Sequence, residues 1–185
     1  MTNECRVYVA CLACYVEGKL NGQWMTADEL DIAWDHDWSD DNGKRILCPH
    51  DEHEEWAIHD YDMQGLNFGE HPDIVDLIEI MRLLDEDSDY GIALRLLQDA
   101  GADYDAQRIM EVRDAMVSYT CRSDWAREMC EDIYSRELEA LPHFITGTID
   151  WDWVGQQLEY DYYIFYARHT HEVGHTTYAI HVGDF

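Results

Sequence analysis

Lysine is nearly missing from this chain of 185 residues; Lys19 and Lys44 are the only two. Lysine and arginine together number 12 against 40 Asp plus Glu, which sets the formal net charge at −28. No basic run is longer than Lys44-Arg45. There is no cationic patch to neutralise phosphates, which argues against direct binding of nucleic acid. Apolar runs are short too, and none approaches the ~20 residues of a membrane span. The start, MTNECRVYVACLACYVEG, lacks a basic segment followed by a long apolar one, so no signal peptide and no membrane partner are expected. Cysteines 5, 11, 14, 48, 121 and 130 in a chain without an export signal read as reduced thiols in the cytoplasm. Catalytic signatures are missing as well: there is no P-loop, no G-x-S-x-G and no dinucleotide fingerprint. Carboxylates are so numerous that no pair stands out as an acid–base couple. The function is expected on a surface and not in a pocket, with no enzyme activity and no cofactor.

What is present is a folding composition. The chain is 46% hydrophobic and 12% aromatic, with seven Trp and twelve Tyr, content that disordered acidic tails lack. The length allows one ordinary domain or two to three small ones. Self-repulsion at −28 disfavours a compact state, so a basic partner that relieves it is a candidate.

Along the chain, RVYVACLACYV (6–16) reads as a strand, Asn21-Gly22 as a turn and QWM as a second short strand. Thr26 and Glu29 form a capping box for a helix over 27–38. Residues 39–55 are a polar loop, and EWAIHDYD (55–62) is a third strand. From Pro72, PDIVDLIEIMRLL places Ile74, Leu77, Ile78 and Met81 on one helical face. Asp73, Asp76 and Glu79 form a separate acidic stripe. DEDSDYG (85–91) is a break, and IALRLLQDAG is a helix ended by Gly101. ADYDAQRIMEVRD begins another helix, and AMVSYTC (115–121) reads as a strand. A helix over 123–138 turns Trp125, Met129 and Ile133 inward and lines Asp124, Glu128, Glu131 and Asp132 along the other side. IDWDWVGQQL is a short helix, followed by strands at 162–168 and 176–182. The expected class is α+β, divided into a sheet-plus-helix domain (1–62), a helical middle (63–112) and a sheet-plus-helix domain (113–185).

Three motifs suggest metals. HEVGH (171–175) matches the zinc-protease pattern, and His181 sits at the spacing of a third ligand. Its flanks, YYIFYARHT and TTYAIHV, are strand-forming, and strand residues four apart lie about 13 Å apart, too far to share one zinc. Tyr178 stands where the turn toward a third ligand wants glycine. A hairpin tip or flank is the expected reading. CLAC (11–14), with Cys48, His50 and His53, is a candidate zinc set. With Cys11 and Cys14 in a strand, i and i+3 face opposite sides, so ordinary core and surface thiols are expected, and no metal. DEDSDYG alternates Asp85, Asp87 and Asp89 like a calcium loop, but Tyr90 replaces the required glycine and Leu96 the bidentate glutamate. An acidic interhelical turn is expected instead.

Duplex DNA carries one negative charge per ~1.7 Å of axis, so 28 net charges match roughly 48 Å of duplex. A compact chain of this length is about 40 Å across. The charge therefore suffices to imitate a comparable length of DNA. Salt adaptation gives the same composition, and so does an acidic chaperone or adaptor for basic partners. Stripes of carboxylates distinguish a mimic; an even spread marks salt adaptation.

RVYVACLACYVEGKLNGQWM resembles the opening strand, "YNEG"-type turn and Trp of the ArdA antirestriction family. EEWAIHDYD resembles that family's most recognisable internal segment, and IDWDWVGQQL with its closing hairpin is similar to the C-terminal part. The likeness runs through nearly the whole chain in order. The longer acidic loop at 39–55 and the histidine-rich hairpin at 169–175 depart from it. The resemblance implies an elongated three-domain protein that mimics bent B-form DNA. It implies occupation of the DNA-binding groove of type I restriction-modification enzymes in a bacterial host. It also implies a homodimer joined through the C-terminal domain, spread by mobile elements. The working residues would be carboxylates in place of phosphates: Asp73, Asp76 and Glu79; Asp85, Glu86 and Asp87; Asp124, Glu128, Glu131 and Asp132; and Asp28, Glu29, Asp31 and Asp35.

Overall fold

RVYVAC alternates apolar and polar residues and forms strand β1 (Arg6–Cys11), with Val7 and Val9 fully buried and Arg6 exposed. The structure, a computed structural model, describes residues 4–40, 44–50, 52–160, 162–168 and 175–181; for 163–168, 175, 177 and 181 it describes the backbone alone. The first strand is shorter than the sequence suggests. Leu12–Val16 is a helix, α1, and the Cys11 sulfur caps it by accepting the Cys14 N–H at 3.5 Å. The cap satisfies one of the donors that a helix start leaves unpaired, which lets the chain leave the sheet at Cys11. Gly18, at φ +80, then turns the chain back.

Strand β2 (Gly22–Met25) returns antiparallel to β1, with Ala10 opposite Gly22 and Val7 opposite Met25. Asn21-Gly22 is thus the entry to β2 and not the turn itself. A Cβ on Gly22 would collide with the Val9 carbonyl oxygen and stand 2.8 Å from Ala10 Cα, so the close pairing demands glycine. Helix α2 (Ala27–Asp35) opens on the expected capping box. Glu29 N–H donates to Thr26 Oγ1 at 3.4 Å, and Thr26 N–H donates to Glu29 Oε2 at 3.0 Å. It stops before Trp38 because Asp37 (φ 47) and Trp38 (φ 58) are left-handed. Trp38 is buried against Trp56, ring centroids 4.6 Å apart, and that burial offsets the strain of a bulky residue in this region. Strand β3 (Trp56–Asp62) pairs with the other edge of β1, from Cys11 opposite Trp56 to Arg6 opposite Asp62. The sheet order is β2-β1-β3.

Helix α3 (Ile74–Glu86) buries Ile74, Leu77, Ile78 and Met81 as the spacing predicts, and packs against α2. Its cap is Asp73, whose carboxylate accepts the N–H groups of Val75 (2.9 Å) and Asp76 (3.2 Å). Helix α4 (Asp89–Ala100) begins almost at once, so the expected break at 85–91 shrinks to residues 87–88. Gly101, at φ +66, ends α4. Helix α5 (Ala106–Ala115) buries Ile109 and Val112.

The remainder is strand β4 (Val117–Tyr119), helices α6 (Arg122–Ile133), α7 (Ser135–Glu139), α8 (His143–Thr146) and α9 (Trp151–Leu158), and strands β5 (Tyr162–Arg168) and β6 (His175–His181). The strands form an antiparallel sheet of order β4-β6-β5. Trp125, Ala126 and Ala179 centre a core joined by Tyr119, Met129, Val154, Leu158 and Tyr162. The helix expected over 123–138 is two helices broken at Tyr134 (φ −117, ψ 28). Ile133, expected inward, is 55% exposed because it is the last residue of α6, where the helical periodicity ends.

The fold is therefore α+β, with an N-terminal sheet-plus-helix region, a helical middle and a C-terminal region of sheet plus helices. Two compact units are distinguishable: Met1–Gly91 with Asp105–Gln107, and Ile92–Tyr104 with Arg108–Phe185. Among the described residues no helix is long and apolar enough to cross a membrane.

Candidate functional site

Helices α2 and α3 carry a carboxylate face in the first unit. Asp28, Asp31 and Asp35 recur at i, i+3 and i+7, so they share one side of α2. Asp76, Glu79 and Glu86 share a side of α3 by the same rule, and all three are exposed. Arg82 lies on that side of α3 and reaches across to α2, where its guanidinium donates to Asp31 Oδ2 (2.7 Å) and Asp28 Oδ1 (3.0 Å). The cation holds two acidic helices together at their charged faces, though each exposed pair of this kind is worth no more than about 1 kcal/mol. Sequence reading missed Arg82, since its partners lie 54 and 51 positions away.

Other acidic residues hold backbone. Glu29 belongs to the capping box and Asp73 to the α3 cap, and both stay exposed. Asp85 is half-buried and accepts the Cys5 N–H at 2.7 Å. Burial first, then the Asp85 carboxylate beside it, push the Cys5 thiol up to about 12. Asp87 is half-buried and accepts the Asp89 N–H at 3.0 Å, a local turn bond and not the geometry of a calcium loop.

In the second unit, Glu128, Glu131 and Asp132 are exposed on α6, and Asp124 is half-buried. Arg127 stands 4.0 Å from both Asp124 and Glu131. Glu128 and Asp132 face Tyr119, whose phenol is held above its ordinary value by burial first and then by these two negative charges.

A second constellation overturns an expectation. Cys11 and Cys14 were expected on opposite sides of a strand, as ordinary core and surface thiols with Cys48, yet the ligand atoms of Cys11, Cys14, Cys48 and His53 all lie within 4.8 Å of one another. The strand argument fails because α1 begins at Leu12 and swings Cys14 back beside Cys11. His53 arrives because Cys11 pairs with Trp56, which sets the residues just before β3 against the end of β1. The histidine–glutamate motif fares differently. His171, Glu172 and Gly174 lie outside the described residues. His175 and His181 open and close β6, about 20 Å apart by strand rise, too far to share one ion.

The chain is thus an acidic protein of α+β fold with exposed carboxylates on α2, α3 and α6. The family profile for antirestriction protein (ArdA) matches residues 7–173, and the chain belongs to the ArdA antirestriction family. Proteins of this family inhibit restriction-modification systems and are not enzymes. No curated protein matches the chain.

Proposed function

We propose that this protein inhibits type I restriction-modification enzymes by presenting carboxylates in place of DNA phosphates and occupying their DNA-binding groove. The observation that carries this reading is the α2–α3 face, where Asp28, Asp31, Asp35, Asp76, Glu79 and Glu86 gather on adjoining helices with Arg82 among them. Exposed like charges at helical spacing cost a few tenths of a kcal/mol per pair, a cost that a binding surface would repay. The α6 carboxylates Glu128, Glu131 and Asp132 would extend the imitation, with Asp124, Asp73, Glu29, Asp85 and Asp87 in supporting positions.

The same proposal includes an elongated division into three domains (1–62, 63–112 and 113–185) and a homodimer joined through the C-terminal domain. Exposed Ile133, Tyr134, Leu141, Phe144 and Ile145 support that dimer, since they place apolar surface along α6 to α8. Sedimentation of Phe144→Glu against the wild type tests it; an unchanged dimer would move the interface elsewhere.

The test of mimicry is displacement. A purified type I enzyme is bound to fluorescent DNA bearing its site, and this protein is titrated in at two salt concentrations. Release near stoichiometric amounts, weakening as salt shortens the screening length, is the expected result. No release from enzymes of several type I families would refute the proposal and return salt adaptation or another basic partner to the front.

A further inference from the structure

We infer that Cys11, Cys14, Cys48 and His53 form a structural zinc site. The argument is independent of DNA mimicry. Structural zinc is tetrahedral, with Zn–S near 2.3 Å and Zn–N near 2.0–2.1 Å, which places sulfur and nitrogen about 3.6 Å apart and two sulfurs about 3.8 Å apart. His53 Nδ1 lies 3.5 Å from Cys11 Sγ, 3.3 Å from Cys14 Sγ and 3.7 Å from Cys48 Sγ. One nitrogen thus faces three sulfurs at the edge lengths of a single coordination tetrahedron. No separation in the set exceeds 4.8 Å, so the sulfurs need close by only about 1 Å to reach the ideal edge. An iron–sulfur cluster spreads its cysteines over several metal atoms, and this set is too tight for that.

The surroundings suit thiolates. The Cys14 N–H points at Cys11 Sγ (3.5 Å), and Asn21 Nδ2 donates to Cys14 Sγ (3.3 Å). Such outer donors fix ligand orientation and favour the charged sulfur. Cys11, Cys14 and Cys48 are buried, and His53 is half-buried. The Cys48 thiol donates to the His50 carbonyl at 3.7 Å, a weak sulfur hydrogen bond that a metal-bound thiolate gives up with its proton. Thiolate with imidazole is the donor set that selects zinc among abundant divalent ions.

The site would fix residues 48–50 and 52–55, which precede β3. The polar stretch between α2 and β3 is anchored by Ile46 N–H to the Trp38 carbonyl (3.0 Å) and, at its far end, by Leu12 N–H to the Glu55 carbonyl (3.1 Å). Zinc would tie its Cys48 and His53 to the end of β1. The wide gap from Cys14 to Cys48 holds the whole of β2 and α2, which hides the motif from a search for two close knuckles.

The test uses untagged full-length protein purified with zinc and dialysed against a weak chelator, its metal content read by mass spectrometry. About one zinc per chain is expected, falling below about a tenth in Cys48→Ser and in His53→Ala. Cys130→Ser, outside the cluster, should retain the metal. Because the ligand variants could fail to fold, wild-type protein stripped of metal is also titrated with Co2+, and thiolate-to-cobalt absorption should saturate at one equivalent. Zinc-loaded wild type below about a tenth of an ion per chain, or Co2+ bound without thiolate absorption, would overturn the assignment. So would undiminished zinc in a folded Cys48→Ser protein.

Discussion

Neutralising the α3 carboxylates while leaving their shape intact is the most informative perturbation of the acidic face. The variant is Asp76→Asn with Glu79→Gln and Glu86→Gln, all exposed positions on one side of the helix. A carboxylate about 4 Å from a cation in water contributes about 1 kcal/mol. If each faces a basic group of the restriction enzyme, one neutralisation costs up to about 5-fold in displacement, and the three together up to about 150-fold. Folding should change by less than about 0.5 kcal/mol, since losing an Asp from the first helical turn is offset by relief of like-charge crowding. Arg82→Gln perturbs the same face in the opposite direction. It removes a cation that two carboxylates now share, and its exposed pairs are worth at most about 1 kcal/mol in stability. Displacement should therefore strengthen by up to about 5-fold. The assay is displacement of fluorescent DNA from the enzyme, with urea unfolding of each variant as the control. A triple variant as potent as the wild type would refute the assignment of this face. Abolition of inhibition by one neutralisation would refute distributed recognition, and weakening by Arg82→Gln would show that the arginine itself touches the target.

Cys5 makes stability fall in alkali. Its thiol is raised from 9.0 to about 12 in the folded protein. The neutral form is favoured by folding, so the contribution is complete below pH 9 and is lost as pH rises toward 12. Between pH 8 and 10 the loss should be about 1.4 kcal/mol, read as urea midpoints, and Cys5→Ser should remove that part of the slope; an unchanged slope would contradict the account. Gly155→Ala should destabilise by about 1 kcal/mol despite alanine's better helix propensity. The new Cβ would stand 2.9 Å from Arg122 Cδ and closer still to Cγ, and Arg122 is held at 2.6 Å from Glu159. Combining it with Arg122→Ala should make the costs non-additive; simple additivity would refute the steric reading.

Local chemistry was open to inspection along the chain. The Thr26–Glu29 capping box, the apolar stripe of α3, the stop at Gly101 and the final two strands follow from bonds and spacings a few residues long. So does the net charge, which needs no fold at all. What failed locally were the ends of elements. β1 stops at Cys11 because a sulfur caps the next helix, and α6 stops at Tyr134 although the apolar pattern runs on. Propensity cannot see either event, because each depends on where the chain must turn to pack.

Long-range pairing alone decided the rest. Arg82 finds Asp28 and Asp31 because α2 packs on α3, and Asp85 turns toward the Cys5 amide instead of solvent. The cysteine–histidine cluster assembles because antiparallel pairing of β1 with β3 brings one strand's end beside the other's beginning. Residue types and charge were written in the sequence. Which carboxylates stand exposed, and which sulfurs meet, are set by contacts between residues some forty to eighty positions apart, and those contacts exist only once the sheet and helices have packed.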